Sequence, residues 1–156
     1  MISRERWGEK RQSLENETTR KSARTAAKAR ARNVSLTLDV EPDLPALSGV
    51  PGQLSDAWMN LVDNAIDAAP AGGHVTVSAR PGPDTIVVSV IDDGPGIPLE
   101  DQAKVFEPFF TTKPVGQGAG LGLDVVQRVV RSHGGSVELG SRPGRTEFRV
   151  TLPAHA

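Results

Sequence analysis

Two β-rich segments, "HVTVSAR" from His74 to Arg80 and "TIVVSVID" from Thr85 to Asp92, are separated only by "PGPD". Prolines, a glycine and an aspartate are turn chemistry, so this spacing predicts an antiparallel pair joined through a tight turn. The rest of the chain is read around that pair. "VSLTLDV" (Val34 to Val40) alternates with period two, as a half-buried strand does, and "EPDLPALSGVPG" then breaks the chain with three prolines and two glycines. "QLSDAWMNLVDNAIDAA" sets Leu54, Trp58, Leu61, Val62, Ala65 and Ile66 at helical spacing until Pro70 and "AGG" stop it. Further on, "LDVVQRVVRSHGG" predicts a helix ended by two glycines, and "SVELGS" with "RTEFRVTLP" a terminal hairpin. Elements in this order predict a two-layer α/β sandwich, a mixed and largely antiparallel sheet with helices on one face.

Composition narrows what such a sandwich can do. A chain of 156 residues suits one domain with a real core, and the absence of cysteine excludes disulfides, thiol catalysis and Cys-ligated metals. His74, His133 and His155 are too scattered to suggest a metal site. Even "TIVVSVI" is far shorter than the ~20 apolar residues that cross a bilayer, and "MISRERWGEKRQ" is charged where a secretory signal is apolar. A cytoplasmic location without membrane contact is expected. The net charge of -1 hides an uneven distribution, since ten of the 18 Lys and Arg lie in residues 1–33, with only four of the 19 acidic residues. Residues 1–33 are accordingly read as a basic arm, helical or partly disordered, and residues 34–156 as the functional domain. The arm lacks the interleaved aromatics of a nucleic-acid reader, so no nucleic acid is expected as partner.

Three short stretches carry chemistry. Asn60 and Asn64, four apart in the predicted helix, share a face. Asn is a poor helix former, so the pair costs about 1 kcal/mol against Ala. An amide oxygen can, however, ligate Mg²⁺ without adding charge that would repel a polyphosphate. "GQGAGLGLDVV" runs directly into a helix, so its backbone N–H groups can face an anion, although it is neither a Walker A loop nor a dinucleotide fingerprint. "VIDDGPGIP" places Asp92 at a strand end beside an open glycine turn, with Asp93 expected in solvent.

Taken in order, "NLVDNAIDAA", "DDGPGIP", "FEPFFTTK" and "GQGAGLGL" resemble the N, G1, F and G2 boxes of the catalytic ATP-binding domain of bacterial sensor histidine kinases. That domain has the Bergerat fold shared with gyrase, heat-shock chaperone and mismatch-repair ATPases. The resemblance covers about Val34 to Pro153. It implies that Asp92 accepts a hydrogen bond from the adenine amino group, with Gly94 and Gly96 letting the backbone pass beside the base. It gives Asn64 the Mg²⁺-ligating role, Asn60 a supporting contact and Lys113 the γ-phosphate. Gly116, Gly118, Gly120, Leu121 and Gly122 would approach the phosphates through their backbone, and Phe106, Phe109 and Phe110 would pack the lid. The implied cofactors are ATP and Mg²⁺, and the implied partners a response regulator and a histidine-bearing dimerisation domain, in cis or in trans.

Gyrase-like and chaperone ATPases carry a Glu as general base where this chain has Asn60, which favours the kinase branch over hydrolysis. No histidine precedes His74, so the acceptor is expected to lie outside this chain and the chain alone to be inactive in transfer. Ala119 replaces a frequent Thr or Ser of the G2 box, and Val50 stands where "GDP" is frequent. A nucleotide-binding module without transfer activity and an ATP-hydrolysing protein are the alternatives.

Overall fold

The computed structural model describes residues 23–45, 47, 49–108, 110 and 122–154. Its first described helix (α1) covers residues 23–31. The elements that follow are β1 (Ser35–Val40), α2 (Pro51–Ala68), β2 (His74–Gly82), β3 (Thr85–Asp92), α3 (Leu99–Gln102), α4 (Gly122–Ser132), β4 (Ser136–Arg142) and β5 (Arg145–Pro153).

The five strands form one sheet in the order β1-β2-β3-β5-β4. β1 lies parallel to β2, which requires a crossover, and α2 supplies it. All other pairs are antiparallel. The predicted hairpins both form: Gly82 faces Thr85 across a turn in which Asp84 takes φ 53°, and Arg142 faces Arg145 across a turn with Gly144 at φ 86°.

One face of the sheet meets the helices. Val75, Val90, Phe148, Val150 and Leu152 of the strands pack against Ala57, Leu61, Ala65 and Ile66 of α2 and Val126 and Val130 of α4. Each large side chain removed from water there contributes about 1.5–3 kcal/mol. Phe106 meets Phe148 edge-on, with ring centroids 6.0 Å apart, and Phe110 also packs on the core.

β1 departs from the half-buried alternation read in its sequence. All six of its residues are exposed, and Leu38 keeps 76% of its surface open. Alternation in a sequence marks which residues share a face, but the parallel edge position leaves this face without cover among the described elements.

The ends of α2 are held by other parts of the chain. At its start the Val50 N–H donates to His133 Nε2 at 3.0 Å, while His133 Nδ1 donates to the Val129 carbonyl at 2.7 Å. His133 thus ties the end of α4 to the start of α2. The last turn of α2 contains no basic residue. There Arg32, just past α1, donates to the carbonyls of Ile66 (3.4 Å) and Asp67 (3.1 Å). Lys28 of α1 meets Asp63 and Asp67 at 2.9 and 2.6 Å, and Ala29 is buried in the core.

Candidate nucleotide site

β3 ends at Asp92, which faces Val75 of β2 on one side and Thr146 of β5 on the other. A residue between two strands on the helix-covered face is buried, and Asp92 is 3% exposed. Burial pushes its carboxyl up to about 6; a hydrogen bond from the Gly94 N–H at 2.9 Å pulls back, and the neighbouring charge of Asp93 adds to the rise. Among the described residues Gly94 is the one donor to Asp92, so the carboxylate keeps acceptor capacity.

The turn after Asp92 is fastened on two sides. A Cβ at Gly94 would lie 2.5 Å from the Ala68 carbonyl oxygen and 2.8 Å from Asp92 Oδ1, so the missing side chain is what lets the turn rest on the end of α2. Gly96 has φ +88°, and a Cβ there would come 2.7 Å from the Arg142 carbonyl. The β4–β5 hairpin grips the turn through Gly144 N–H to Gly94 O (2.9 Å) and Ile97 N–H to Ser141 Oγ (2.8 Å). Asp93, expected in solvent, instead accepts the His74 N–H at 2.9 Å and so caps the start of β2, while its side chain stays 40% exposed.

Along α2, Asn60, Asn64 and Ala68 follow at four-residue intervals and therefore form one row, about 12 Å long at 1.5 Å per residue. The Ala68 end of that row touches Gly94 and hence Asp92. At the other end α4 begins beside Asn60, since a Cβ on Gly122 would be 3.9 Å from Asn60 Cβ. The arrangement is linear: a buried acceptor, then two half-buried amides, then a helix N-terminus whose N–H groups suit an anion. Neither amide is tied by a hydrogen bond among the described residues.

The same residues fit a polyphosphate-bound cation better than a protein-caged one. Among the described residues no group of three His, Asp or Glu side chains is placed to hold a metal ion. A cation here would draw protein ligands from the Asn60 and Asn64 amides, with phosphate and water completing its shell.

Of the residues singled out from sequence, the fold brings together Asn60, Asn64, Asp92, Gly94, Gly96 and Gly122. Lys113, Gly116, Gly118, Gly120, Leu121 and Phe109 lie outside the described residues. Sequence reasoning missed Ser141, Lys28 and Arg32. For the last two a signal existed, because Thr25, Lys28, Ala29 and Arg32 share one helical face.

Comparison with known proteins converges on one family. Residues 49–156 match the family described as Histidine kinase-, DNA gyrase B-, and HSP90-like ATPase. The sensory histidine kinase/phosphatase NtrB of Azospirillum brasilense is 41% identical over 138 residues, 79% of this chain and 34% of NtrB. The alginate biosynthesis sensor protein KinB of Pseudomonas aeruginosa is 35% identical over 136 residues, 86% of this chain and 23% of KinB. The chain thus spans about a third or less of these relatives. The solved catalytic domain of histidine kinase ThkA superposes with a TM-score of 0.76 at 30% identity, over 89% of this chain and 91% of that one. With the fold, the row on α2 and these matches in agreement, the chain belongs to the histidine kinase-, DNA gyrase B- and HSP90-like ATPase family, as a catalytic ATP-binding domain of the sensor histidine kinase kind.

Proposed function

We propose that this domain binds ATP with Mg²⁺ and transfers the γ-phosphoryl group to a histidine on a dimerisation helix outside this chain, in cis or in trans. The observation that carries the reading is the row from Asp92 past Asn64 and Asn60 to the start of α4, which offers base, metal and phosphate functions in the order a nucleoside triphosphate presents them. The buried carboxylate accepts from the adenine 6-amino group, whereas guanine would set a carbonyl against it. Leaving that acceptor unpaired costs roughly 1–3 kcal/mol, which selects adenine. Asn64, with Asn60 in support, would hold the Mg²⁺, which neutralises phosphate charge when bound. Lys113 and the Gly116 to Gly122 stretch are assigned to the phosphates by resemblance alone.

In the transfer, a neutral imidazole nitrogen forms the new bond to the γ-phosphorus as the bond to the β,γ-bridging oxygen breaks. ADP leaves with that electron pair, and the imidazole proton passes to solvent. Asn60 cannot take a proton from water, because an amide is not a base. Hydrolysis therefore lacks a contribution of about 10²–10⁴ that a Glu there would give. A structure of full-length ShkA, 29% identical to this chain, contains AMPPNP, and ThkA has been solved with the response regulator TrrA. A response regulator is the corresponding downstream partner proposed here, in the cytoplasm. No helix of the described residues is long and apolar enough to cross a membrane.

The test combines binding and transfer. Calorimetry should show ATP bound more tightly than GTP, and the chain supplied with a protein presenting a helical acceptor histidine should form an acid-labile, base-stable phosphoadduct. Asn64→Ala should abolish the adduct. Equal affinity for GTP removes Asp92 from its role, and brisk hydrolysis without any acceptor favours the ATPase alternative.

A further inference from the structure

The basic segment before β1 has no role in the site as described so far, yet it grips the helix that carries the site. Thr25, Lys28, Ala29 and Arg32 lie on one face of α1 and its C-terminal end. Their contacts on α2 fall at Met59, Asp63, Ile66 and Asp67, immediately beside the Asn60 and Asn64 row. Lys28 Nζ binds two carboxylates one turn apart, Asp63 Oδ1 at 2.9 Å and Asp67 Oδ1 at 2.6 Å. Partial burial would lower its pKa, but the hydrogen bonds to Asp67 and Asp63 outweigh this and hold the ammonium above its ordinary value. Arg32 fixes the last carbonyls of the same helix.

A rod pinned at two points one turn apart has little freedom to rotate or slide. The core side of α2 supplies part of that constraint through Leu61 and Ile66, with Leu54, Trp58 and Val62 packed at its margin, but the flank that carries Asp63 and Asp67 is held from α1. The ionic clamp lies on the flank where the amides must be held in register.

We infer that Lys28, supported by Arg32, is a positioning residue that sets the rotation of α2 and so aims the Asn60 and Asn64 amides at the metal–phosphate part of the site. The inference rests on the metal role proposed above for those amides. The consequence is specific: losing Lys28 weakens the part of nucleotide binding that depends on Mg²⁺ and spares the part that depends on Asp92 at the far end of the row.

The experiment measures ATP binding to the whole chain by calorimetry, in EDTA and with saturating Mg²⁺, and takes the ratio of the two dissociation constants. Lys28→Met should reduce the factor by which Mg²⁺ tightens binding by roughly 10-fold, the low end for residues that orient metal ligands. ADP affinity in EDTA should stay unchanged. Lys28→Arg, which can still bridge both carboxylates, should recover most of the factor. Removing the charges together with the clamp, in Lys28→Met/Asp63→Asn/Asp67→Asn, separates position from charge. The triple variant should remain defective, and its recovery would show that Lys28 acts only by neutralising Asp63 and Asp67, which overturns the inference. Should Lys28→Met not fold, Asp63→Asn loosens the clamp from the other side and should lower the same ratio. An unchanged ratio in Lys28→Met, or in that substitute, also overturns it. A wild-type chain whose ATP affinity ignores Mg²⁺ instead refutes the metal role of the amides, a failure that no variant is needed to see.

Discussion

Asp92→Asn should make the domain more stable while destroying its adenine selectivity. Burial holds the carboxyl at about 6 against an ordinary 3.8, about two units. At roughly 1.4 kcal/mol per unit, keeping Asp92 ionised in the empty site costs the fold at most about 3 kcal/mol near neutral pH. The effective dielectric of a protein is well above that of dry protein even at buried sites, which lowers this to about 1–2 kcal/mol. The sign follows from proton linkage: between pH 3.8 and 6 the native state binds a proton that the unfolded state does not, so the Asp92 contribution becomes less unfavourable as pH falls through 6. Glu147 has the opposite sense. Burial would raise its pKa, but Ser89, Arg149 and Arg145 outweigh that and hold it low, so the stability it confers is lost at acid pH. Wild-type data alone would mix the two, whereas the difference between wild type and Asp92→Asn isolates Asp92. Urea unfolding of both proteins without nucleotide, from pH 4 to 8, should show the variant about 1–2 kcal/mol more stable at pH 7.5 and the gap closing towards pH 4. A variant less stable at pH 7.5, or a gap independent of pH, would refute the reasoning.

Two further substitutions test how the site is held. Gly94→Ala drives a methyl group into the Ala68 carbonyl and Asp92, both of them poorly able to yield, so urea unfolding should show a loss of about 1–3 kcal/mol and calorimetry weaker ATP binding. His133→Ala removes the acceptor for the Val50 N–H and the donor to Val129, and should lower stability by roughly 1–2 kcal/mol in the same assay.

The parts of the fold written in local chemistry were legible before the structure. Both hairpins follow from Pro, Gly and Asp at the reversals, and α2 from apolar residues at helical spacing followed by Pro70. The exposure of Leu36, Leu38 and Val40 was not legible, because cover over a strand is supplied by distant residues. The packing of α1 on α2 was legible only in part: Thr25, Lys28, Ala29 and Arg32 share one helical face, but the contact is made by a buried alanine and the long stems of Lys28 and Arg32 and not by large apolar side chains. In the site, Asp92, Asn60 and Asn64 stood out by residue type and spacing, and the roles proposed for them came from the resemblance. Their alignment depends on the fit of Gly94 against Ala68, a tertiary contact that no local pattern encodes.

The position of β5 in the sheet has a consequence for the order of events during synthesis. The last strand in sequence lies between β3 and β4, and the Ser89 to Glu147 hydrogen bond joins residues 58 apart. Until residues 145–153 are available, β3 has one unpaired edge, and the apolar faces of α2 and α4 lack Phe148, Val150 and Leu152. Closing such distant contacts is slow relative to local hairpins and helices. A nascent chain must therefore carry an open edge and an uncovered apolar face until β5 is made, and that interval is when it is most exposed to misassociation.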